Sequence, residues 1–218
     1  LRCRGFNNHI IGNEITNFDG SAAISVGNGN DPGQGSFCEI AYNDIHDPSD
    51  WAYTGNNELR HGIRSTTASN FDNAHKDAWV HHNYFYNFPP KPFPNDYGSG
   101  QDDAMEACES AYVWNTDINH EGIRWYFEYN LVEDHQQGHG HVDMKCGGSV
   151  LRYNTFRNVF NGRVDLRQGH GNIVESNYMD GGGGIWVSGS NHKIVCNTIV
   201  NGGTISVLAG TVAYDGYQ

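Results

Sequence analysis

Basic residues are scarce in this chain of 218 residues, where 13 Lys and Arg stand against 25 Asp and Glu and give a formal net charge of −12. Such a charge repels phosphate backbones, which argues against a nucleic-acid partner. No apolar run approaches the roughly 20 residues of a membrane-spanning helix, so no membrane partner is expected. The chain has five cysteines, an odd number, and none of them has CxxC spacing. This pattern predicts buried thiols rather than a disulfide framework or a zinc site.

Proline is rare as well, and four of the six prolines fall within residues 89–100. Proline cannot lie inside a stacked parallel strand, so this segment is expected to project as a loop, with further excursions near residues 44–58 and 111–120. Loops on one side of such a stack form the walls of a cleft. Glycine, by contrast, is abundant at 28 residues, which argues against a helical bundle and favours many short strands joined by corners.

One short phrase repeats along the chain as IIGNEI, IAYNDI, VHHNYF, FEYNLV, LRYNTF, VESNYM and IVCNTI. Its asparagines are Asn13, Asn43, Asn83, Asn130, Asn154, Asn177 and Asn197. A second short strand follows each phrase. Two strands per repeat with an Asn at a fixed corner predict an all-β fold, a right-handed parallel β-helix of about seven coils with an Asn ladder. An antiparallel sandwich, the alternative, would show Asn-Gly hairpins at shorter spacing.

A single domain is expected over residues 1–218. The chain begins at Leu1 without an initiator Met, which leads us to expect a processed or truncated product.

Strand alternation predicts which side chains leave the coils. If the second strands are aligned on inward residues Ile24, Ile63, Met105, Val142, Val164, Ile185 and Ile205, one outward column reads Ser25, Arg64, Glu106, Asp143, Asp165, Trp186 and Ser206. The neighbouring column places Lys145 and Arg167 on adjacent rungs, about 4.8 Å apart. His141 and Arg163 immediately precede their anchors. We therefore expect an exposed polar patch.

Residues 141–170 contain five basic and two acidic side chains, a local charge of +3 that suits an anionic polymer. A surface ladder of ion pairs that only stabilises the coils would give the same pattern.

Three stretches, MKCGGSVLRYNTFRN, GRVDLRQGHGNIVESNYMDG and GGIWVSGSNHKIVCNTI, resemble the catalytic coils of family six polysaccharide lyases of the alginate lyase and chondroitinase B type. The resemblance implies a parallel β-helix that cleaves uronic-acid polysaccharides. It also implies that Lys145 is the base and that Arg167 is the acid or a stabiliser. The residues expected to contact the substrate are Arg64, His139, His141, Asp143, Arg163 and His170.

The sequence departs from that family at its calcium site, because the two Glu ligands match Gly138 and Gly140 here. We therefore expect no metal and no cofactor, with His139 and His141 taking over charge neutralisation together with Arg163 or Arg64. An oxygen site for Ca²⁺ built from Glu106, Asp143 and Asp165 is the alternative. The HGH motif of residues 139–141 could also suggest a metal site, but no further metal ligands follow it at a suitable spacing.

The sequence thus predicts a lyase that cleaves a uronic-acid polysaccharide, most of all alginate, by β-elimination. The proton donor stays open among Tyr112, Tyr126, Tyr129 and a histidine. Other possibilities are an inverting glycoside hydrolase of the polygalacturonase type, suggested by GQDDAMEACES and GHG, a non-catalytic carbohydrate-binding β-helix, and an epimerase. A polymer substrate implies a secreted or periplasmic protein, and we expect a monomer.

Overall fold

A computed structural model of the chain describes residues 1–3, 5–18, 22–27, 37–49, 60–66, 77–89, 103–109, 124–136, 140–160, 162–166 and 169–208. All of the regular elements in these residues are β-strands, which confirms the all-β prediction. They are β1 (Arg2–Cys3), β2 (His9–Ile11), β3 (Glu14–Ile15), β4 (Ala22–Val26), β5 (Glu39–Ala41), β6 (Asp44–His46), β7 (His61–Thr66), β8 (Ala78–His81), β9 (Tyr84–Phe88), β10 (Met105–Glu109), β11 (Trp125–Glu128), β12 (Leu131–His135), β13 (Gly140–Met144), β14 (Val150–Arg152), β15 (Thr155–Val159), β16 (Arg163–Leu166), β17 (Ile173–Glu175), β18 (Tyr178–Gly181), β19 (Gly184–Val187), β20 (Lys193–Val195), β21 (Thr198–Val200) and β22 (Thr204–Val207).

Every third strand joins the same parallel sheet, so the chain winds into a parallel β-helix. Sheet A stacks β1, β4, β7, β10, β13, β16, β19 and β22, sheet B runs from β2 to β20, and sheet C from β3 to β21. Seven coils have all three strands, and β22 begins an eighth. The predicted β-helix of about seven coils is therefore confirmed.

Each coil has three strands, and the expected two per repeat was wrong. The repeated phrase spans a corner: β14 ends and β15 begins on either side of Asn154. The residue before the Asn makes the turn with a positive φ, which is 58° at Tyr153 and 71° at Gly12. A phrase with apolar residues on both sides of a corner looks like one strand when only its periodicity is considered.

The seven asparagines form the predicted ladder. The backbone N and the side-chain Nδ2 of each of the first six donate to Oδ1 of the Asn one coil further along the chain, over 2.8–3.2 Å. Five of the ladder residues, from Asn43 to Asn177, are buried. Their amides satisfy each other, which is what allows polar groups inside the coil stack.

The core contains six of the seven predicted inward anchors, from Ile24 to Ile185, all at most 1% exposed. The seventh, Ile205, is 52% exposed, contrary to prediction. It lies on β22, which within the described residues has a neighbouring strand on one side only. No helix in the described part of the chain is long and apolar enough to cross a membrane.

The prediction of free buried thiols was wrong. Cys3 and Cys38 form a disulfide between neighbouring coils, Cys146 is disulfide-bonded as well, and the free Cys196 is exposed. Stacking brings together cysteines that are 35 residues apart in sequence, so spacing alone could not reveal the pair. Residues 44–46, expected to belong to an excursion, form β6. Residues 50–58, 90–100 and 111–120 lie outside the described residues.

Candidate functional site

The predicted outward column of sheet A has the expected register. Neighbouring strands pair Ser25 with Arg64, Arg64 with Glu106, Glu106 with Asp143, Asp143 with Asp165, Asp165 with Trp186 and Trp186 with Ser206. Repetition of short strands in register therefore places charged side chains from distant parts of the sequence on consecutive rungs.

The charged middle of this column is buried, whereas we expected an exposed patch. Glu106, Asp143 and Asp165 are at most 2% exposed, and Lys145 is 6% exposed. Ionised groups removed from water are stable only when paired, so their partners define the chemistry of the site.

Glu106 is the centre of the cluster. Its Oε1 lies 2.5 Å from Lys145 Nζ, and its Oε2 lies 2.8 Å from His61 Nε2 and 3.7 Å from Arg64 Nε. Burial alone would raise the pKa of Glu106, but Lys145, His61 and Arg64 together hold it well below its usual value. The carboxylate is therefore ionised at neutral pH.

Lys145 follows β13 directly, and its backbone N donates to Ala107 O at 3.1 Å. The side chain lies on the outer face of sheet A, where its Nζ contacts Glu106. Besides Glu106, its Nζ lies 3.5 Å from Asp143 Oδ2. Lys145 thus joins carboxylates from two neighbouring strands.

His61 and Asp103 belong to the cluster and were missed in the sequence. His61 Nδ1 lies 3.3 Å from Asp103 Oδ2. Burial tends to lower the pKa of His61, but hydrogen bonds to Asp103 and Glu106 and the charges of both carboxylates outweigh it and raise the pKa to about 9. Burial raises the pKa of Asp103 to about 6, against the influence of His61. The His61 ring thus lies between two carboxyl groups that favour its protonated form, and its Nδ1 also lies 3.2 Å from the backbone N of Asp103.

Strict alternation placed His61 on the same inner side as Ile63. The signal that could have corrected this is Gly62, because a Cβ there would lie 2.6 Å from Ala104 O and 2.8 Å from a Phe85 ring carbon. A glycine inside a strand often marks close backbone approach or a break in alternation.

His141 lies apart from the cluster. The pairing of β13 with β16 shifts between Gly140 and Val142, and Arg163 pairs with Gly140. His141 Nδ1 instead lies 2.9 Å from His135 Nδ1, and its ring packs near Phe156. Burial, followed by the charge of His135, holds the pKa of His141 well below its usual value, so this histidine is neutral at neutral pH.

Of the other predicted site residues, the structure describes Arg163 and His170. Arg163 donates to Asp165 at 3.0 and 3.2 Å, and its guanidinium lies over the Trp186 ring. His170 Nδ1 accepts from the backbone N of Ser190 at 3.0 Å. Arg167 and His139 lie outside the described residues. The structure therefore unites Arg64, Asp143 and Lys145 with Glu106.

Three of these side chains have the spacing of metal ligands: one donor atom from each of His61, Asp103 and Glu106 lies within 4.8 Å of the others. Calcium takes six to eight oxygen ligands, and one imidazole with two carboxylates offers fewer. A Cβ at Gly140 would lie 2.8 Å from Asp103 Oδ1. Asp103 thus fills the space that a side chain at this position would need, which fits the absence of the family's Glu there.

No protein-family profile matches the sequence. No curated protein matches it either. A solved structure of a mannuronic acid specific polysaccharide family 6 lyase from human gut microbiota is similar, with a TM-score of 0.61 and 19% sequence identity. The match covers 94% of this chain and 52% of that one, so this chain spans about half the length of that protein. The fold implied by the sequence resemblance is thereby confirmed.

Proposed function

We propose that this protein is a polysaccharide lyase that cleaves a uronic-acid polysaccharide by β-elimination, with alginate as the first candidate. One observation carries the proposal: Lys145, the residue that the resemblance assigns as base, lies in a buried charged cluster on sheet A of a β-helix. The similar solved structure is that of a mannuronic acid specific lyase, which supports alginate over a sulfated glycosaminoglycan.

β-Elimination requires removal of a proton from the carbon next to a carboxylate. That carbon becomes acidic only when the carboxylate charge is neutralised, and fixed cations aimed at the developing negative charge supply most of the stabilisation. Arg64 and Arg163 are the cations of this face, and Arg167 is proposed to join them on the next rung. A guanidinium can bind a carboxylate with two parallel hydrogen bonds.

In this mechanism Lys145 accepts the proton, so its amine must be neutral at that moment. Release of its own proton would leave Glu106 without one cationic partner. The other two, His61 at 2.8 Å and Arg64 at 3.7 Å, remain in place. Glu106 therefore keeps its compensation while Lys145 cycles between charged and neutral forms, and the pairing of His61 supports this role for the lysine.

We further propose a secreted or periplasmic location and a monomeric state. The Cys3–Cys38 disulfide and the disulfide-bonded Cys146 support an oxidising compartment.

The test is to incubate the protein with polymannuronate, polyguluronate, chondroitin sulfate and polygalacturonate while the ultraviolet absorbance of unsaturated uronates is recorded. We expect absorbance to rise with polymannuronate or polyguluronate. Lys145→Arg preserves a cation beside Glu106 but removes the base, so its turnover should fall at least 1,000-fold, about 4 kcal/mol of activation free energy, with an unchanged circular dichroism spectrum. Absence of the chromophore with all four polymers would refute the lyase, and near-normal activity of Lys145→Arg would refute the base.

An inverting glycoside hydrolase is a second candidate, favoured by the contrasting pKa shifts of two neighbouring carboxyl groups. The pKa of Asp103 is raised to about 6 while that of Glu106 is lowered, and such a split is typical of acid and base pairs. Hydrolysis would generate reducing ends without ultraviolet absorbance, and the same incubations separate the two reactions.

A further inference from the structure

A second concave site lies on the outer face of sheet B, on a different sheet from Lys145. It is an open groove with a volume of about 510 Å³, whose lining includes Phe37, Glu39, Trp79, Tyr126, Glu128 and Arg152. This volume falls in the range of small-ligand sites, about 300 to 1,000 Å³. Of these residues only Tyr126 was a candidate in the lyase reaction, as one of several possible proton donors, and it lies on β11 of sheet B, whereas Lys145 lies beside sheet A.

Strand register explains why these side chains meet. Glu39 pairs with Trp79 and Trp79 with Tyr126, so they form one outward column on β5, β8 and β11. Two residues further along the strands, Glu128 pairs with Arg152. Aromatic and charged side chains thus lie side by side across neighbouring coils.

Trp79 is the main aromatic surface of the groove. Its side chain is 45% exposed although it lies in the middle of a sheet. The indole Nε1 donates to Glu128 Oε2 at 3.0 Å, and the ring lies against His81 with centroids 4.0 Å apart. Contacts at its edge and beside it fix the orientation of the ring, so this aromatic plate is pre-organised for a ligand.

The polar groups around Trp79 can both donate and accept further hydrogen bonds. Arg152 Nε donates to Glu128 Oε1 at 2.6 Å, while Glu39 binds His9 at 2.7 Å and His81 at 3.0 Å. A carboxylate has about four lone-pair sites and a guanidinium five N–H donors, so the partly exposed Glu39 and Arg152 have capacity beyond their contacts within the protein, whereas the buried Glu128 holds Trp79 and Arg152 in place. Hydroxyl groups, which donate and accept, match such a surface.

The charge of the groove selects against polyuronates. Its lining includes the carboxylates of Glu39, Asp77 and Glu128 against the single guanidinium of Arg152. We propose that this groove is a second saccharide-binding site that takes an uncharged oligosaccharide, with a sugar ring stacked on Trp79 and hydroxyls bound by Glu39 and Arg152, while Glu128 orients Trp79 and Arg152. The site does not depend on the proposed lyase activity.

The experiment measures binding rather than turnover. Wild-type protein is titrated by calorimetry with cellohexaose, mannohexaose and xylohexaose, and with hexamannuronate as the charged counterpart. We expect saturable binding of at least one uncharged hexamer, and a loss of affinity of at least tenfold in Trp79→Ala. Tyr178→Ala, which removes an exposed aromatic from sheet C, should bind as wild type does. Lys145→Arg should also keep the binding.

Several outcomes would overturn the proposal. These are no saturable binding of any uncharged hexamer, equal affinity in Trp79→Ala and wild type, or tighter binding of hexamannuronate that is lost in Trp79→Ala. Loss of binding in Lys145→Arg with retention in Trp79→Ala would place the sugar at the sheet A cluster instead. Glu128→Gln keeps the side-chain shape, and we expect it to weaken the affinity severalfold.

Discussion

At the scale of single residues, the position of His61 is the feature with the clearest energetic consequence. Its ring lies between Asp103 and Glu106, fully buried, and the two carboxyl groups raise its pKa to about 9, which favours the positively charged form at neutral pH. A buried cation in this position compensates two carboxylates that would otherwise repel each other.

The stability of the protein should therefore fall with rising pH. Folding raises the pKa of His61 from 6.5 to about 9, so its contribution is complete below pH 6.5 and is lost as the pH rises to 9. The size of this contribution is on the order of 3 kcal/mol. Asp103, with a pKa raised to about 6, favours the folded state mainly at lower pH, outside this window.

Urea unfolding at pH 6.5, 8 and 9 measures the effect. Wild type should lose stability across this series, and His61→Gln should start lower and show a flatter pH dependence. His9→Gln, which alters an exposed histidine that also pairs with a glutamate, should follow wild type. A wild-type stability that does not change between pH 6.5 and 9 would contradict a charged His61.

Arg167 provides a second test at the residue scale, based on sequence alone. Arg167→Lys keeps the charge but loses the planar fork that binds a carboxylate through two hydrogen bonds. We expect most of the activity to be lost. A joint fall of kcat and kcat/KM would indicate action in the transition state, and a rise of KM with unchanged kcat would indicate substrate anchoring. If Arg167 belongs only to a surface ion-pair ladder, kinetics will match wild type and melting will shift slightly.

At the scale of structural elements, the Asn ladder is a continuous line of amides at the corner between sheets B and C. Asn154, in its middle, accepts from the backbone N and Nδ2 of Asn130, and donates to Phe127 O and Asn177 Oδ1. Removal of this amide leaves the backbone N of Asn130 and the backbone O of Phe127 without this partner.

We predict that Asn154→Ala lowers the free energy of unfolding by about 3 kcal/mol, because unsatisfied buried polar groups cost about 1–3 kcal/mol each. Asn197→Ala, at the half-buried end of the ladder, serves as the matched control and should cost about 1 kcal/mol. Chemical denaturation of both variants provides the comparison. Equal losses would show that burial along the ladder does not determine its strength.

The sequence predicted the ladder and the register of sheet A because both depend on exact repetition. It did not reveal the third strand per coil, since Tyr153 and its equivalents turn the chain inside an apolar phrase. Within the site, Arg64, Glu106 and Asp143 have the predicted register, but their burial and that of Lys145 were not predicted. Burial and the contacts of His61 depend on how coils stack at irregular positions such as Gly62 and Gly140, which strand periodicity does not encode.

At the scale of the whole molecule, the protein is strongly acidic, yet the carboxylates of its candidate site are paired with cations of its own. Glu106 and Asp143 contact Lys145, and Asp165 contacts Arg163. Because these side chains already balance the charge of the carboxylates, no external divalent cation is needed for that purpose.

We therefore predict that lyase activity survives chelation. Dialysis against EDTA should change the rate of unsaturated uronate formation by less than twofold, and added Ca²⁺ should not raise it. A melting curve with and without chelator is the parallel measurement and should not shift. Complete inactivation that Ca²⁺ reverses would show that the carboxylates form a metal site after all.

The ladder also separates the spacing of coils in space from their spacing in sequence. Consecutive ladder residues are 20 residues apart between Asn177 and Asn197 and 47 apart between Asn83 and Asn130, yet the amide contacts span 2.8–3.0 Å in both cases. Extra residues within one coil therefore do not change the spacing between that coil and the next. Individual segments between rungs could accordingly be lengthened, shortened or exchanged one at a time, which makes this scaffold suited to grafting new recognition loops without redesign of its core.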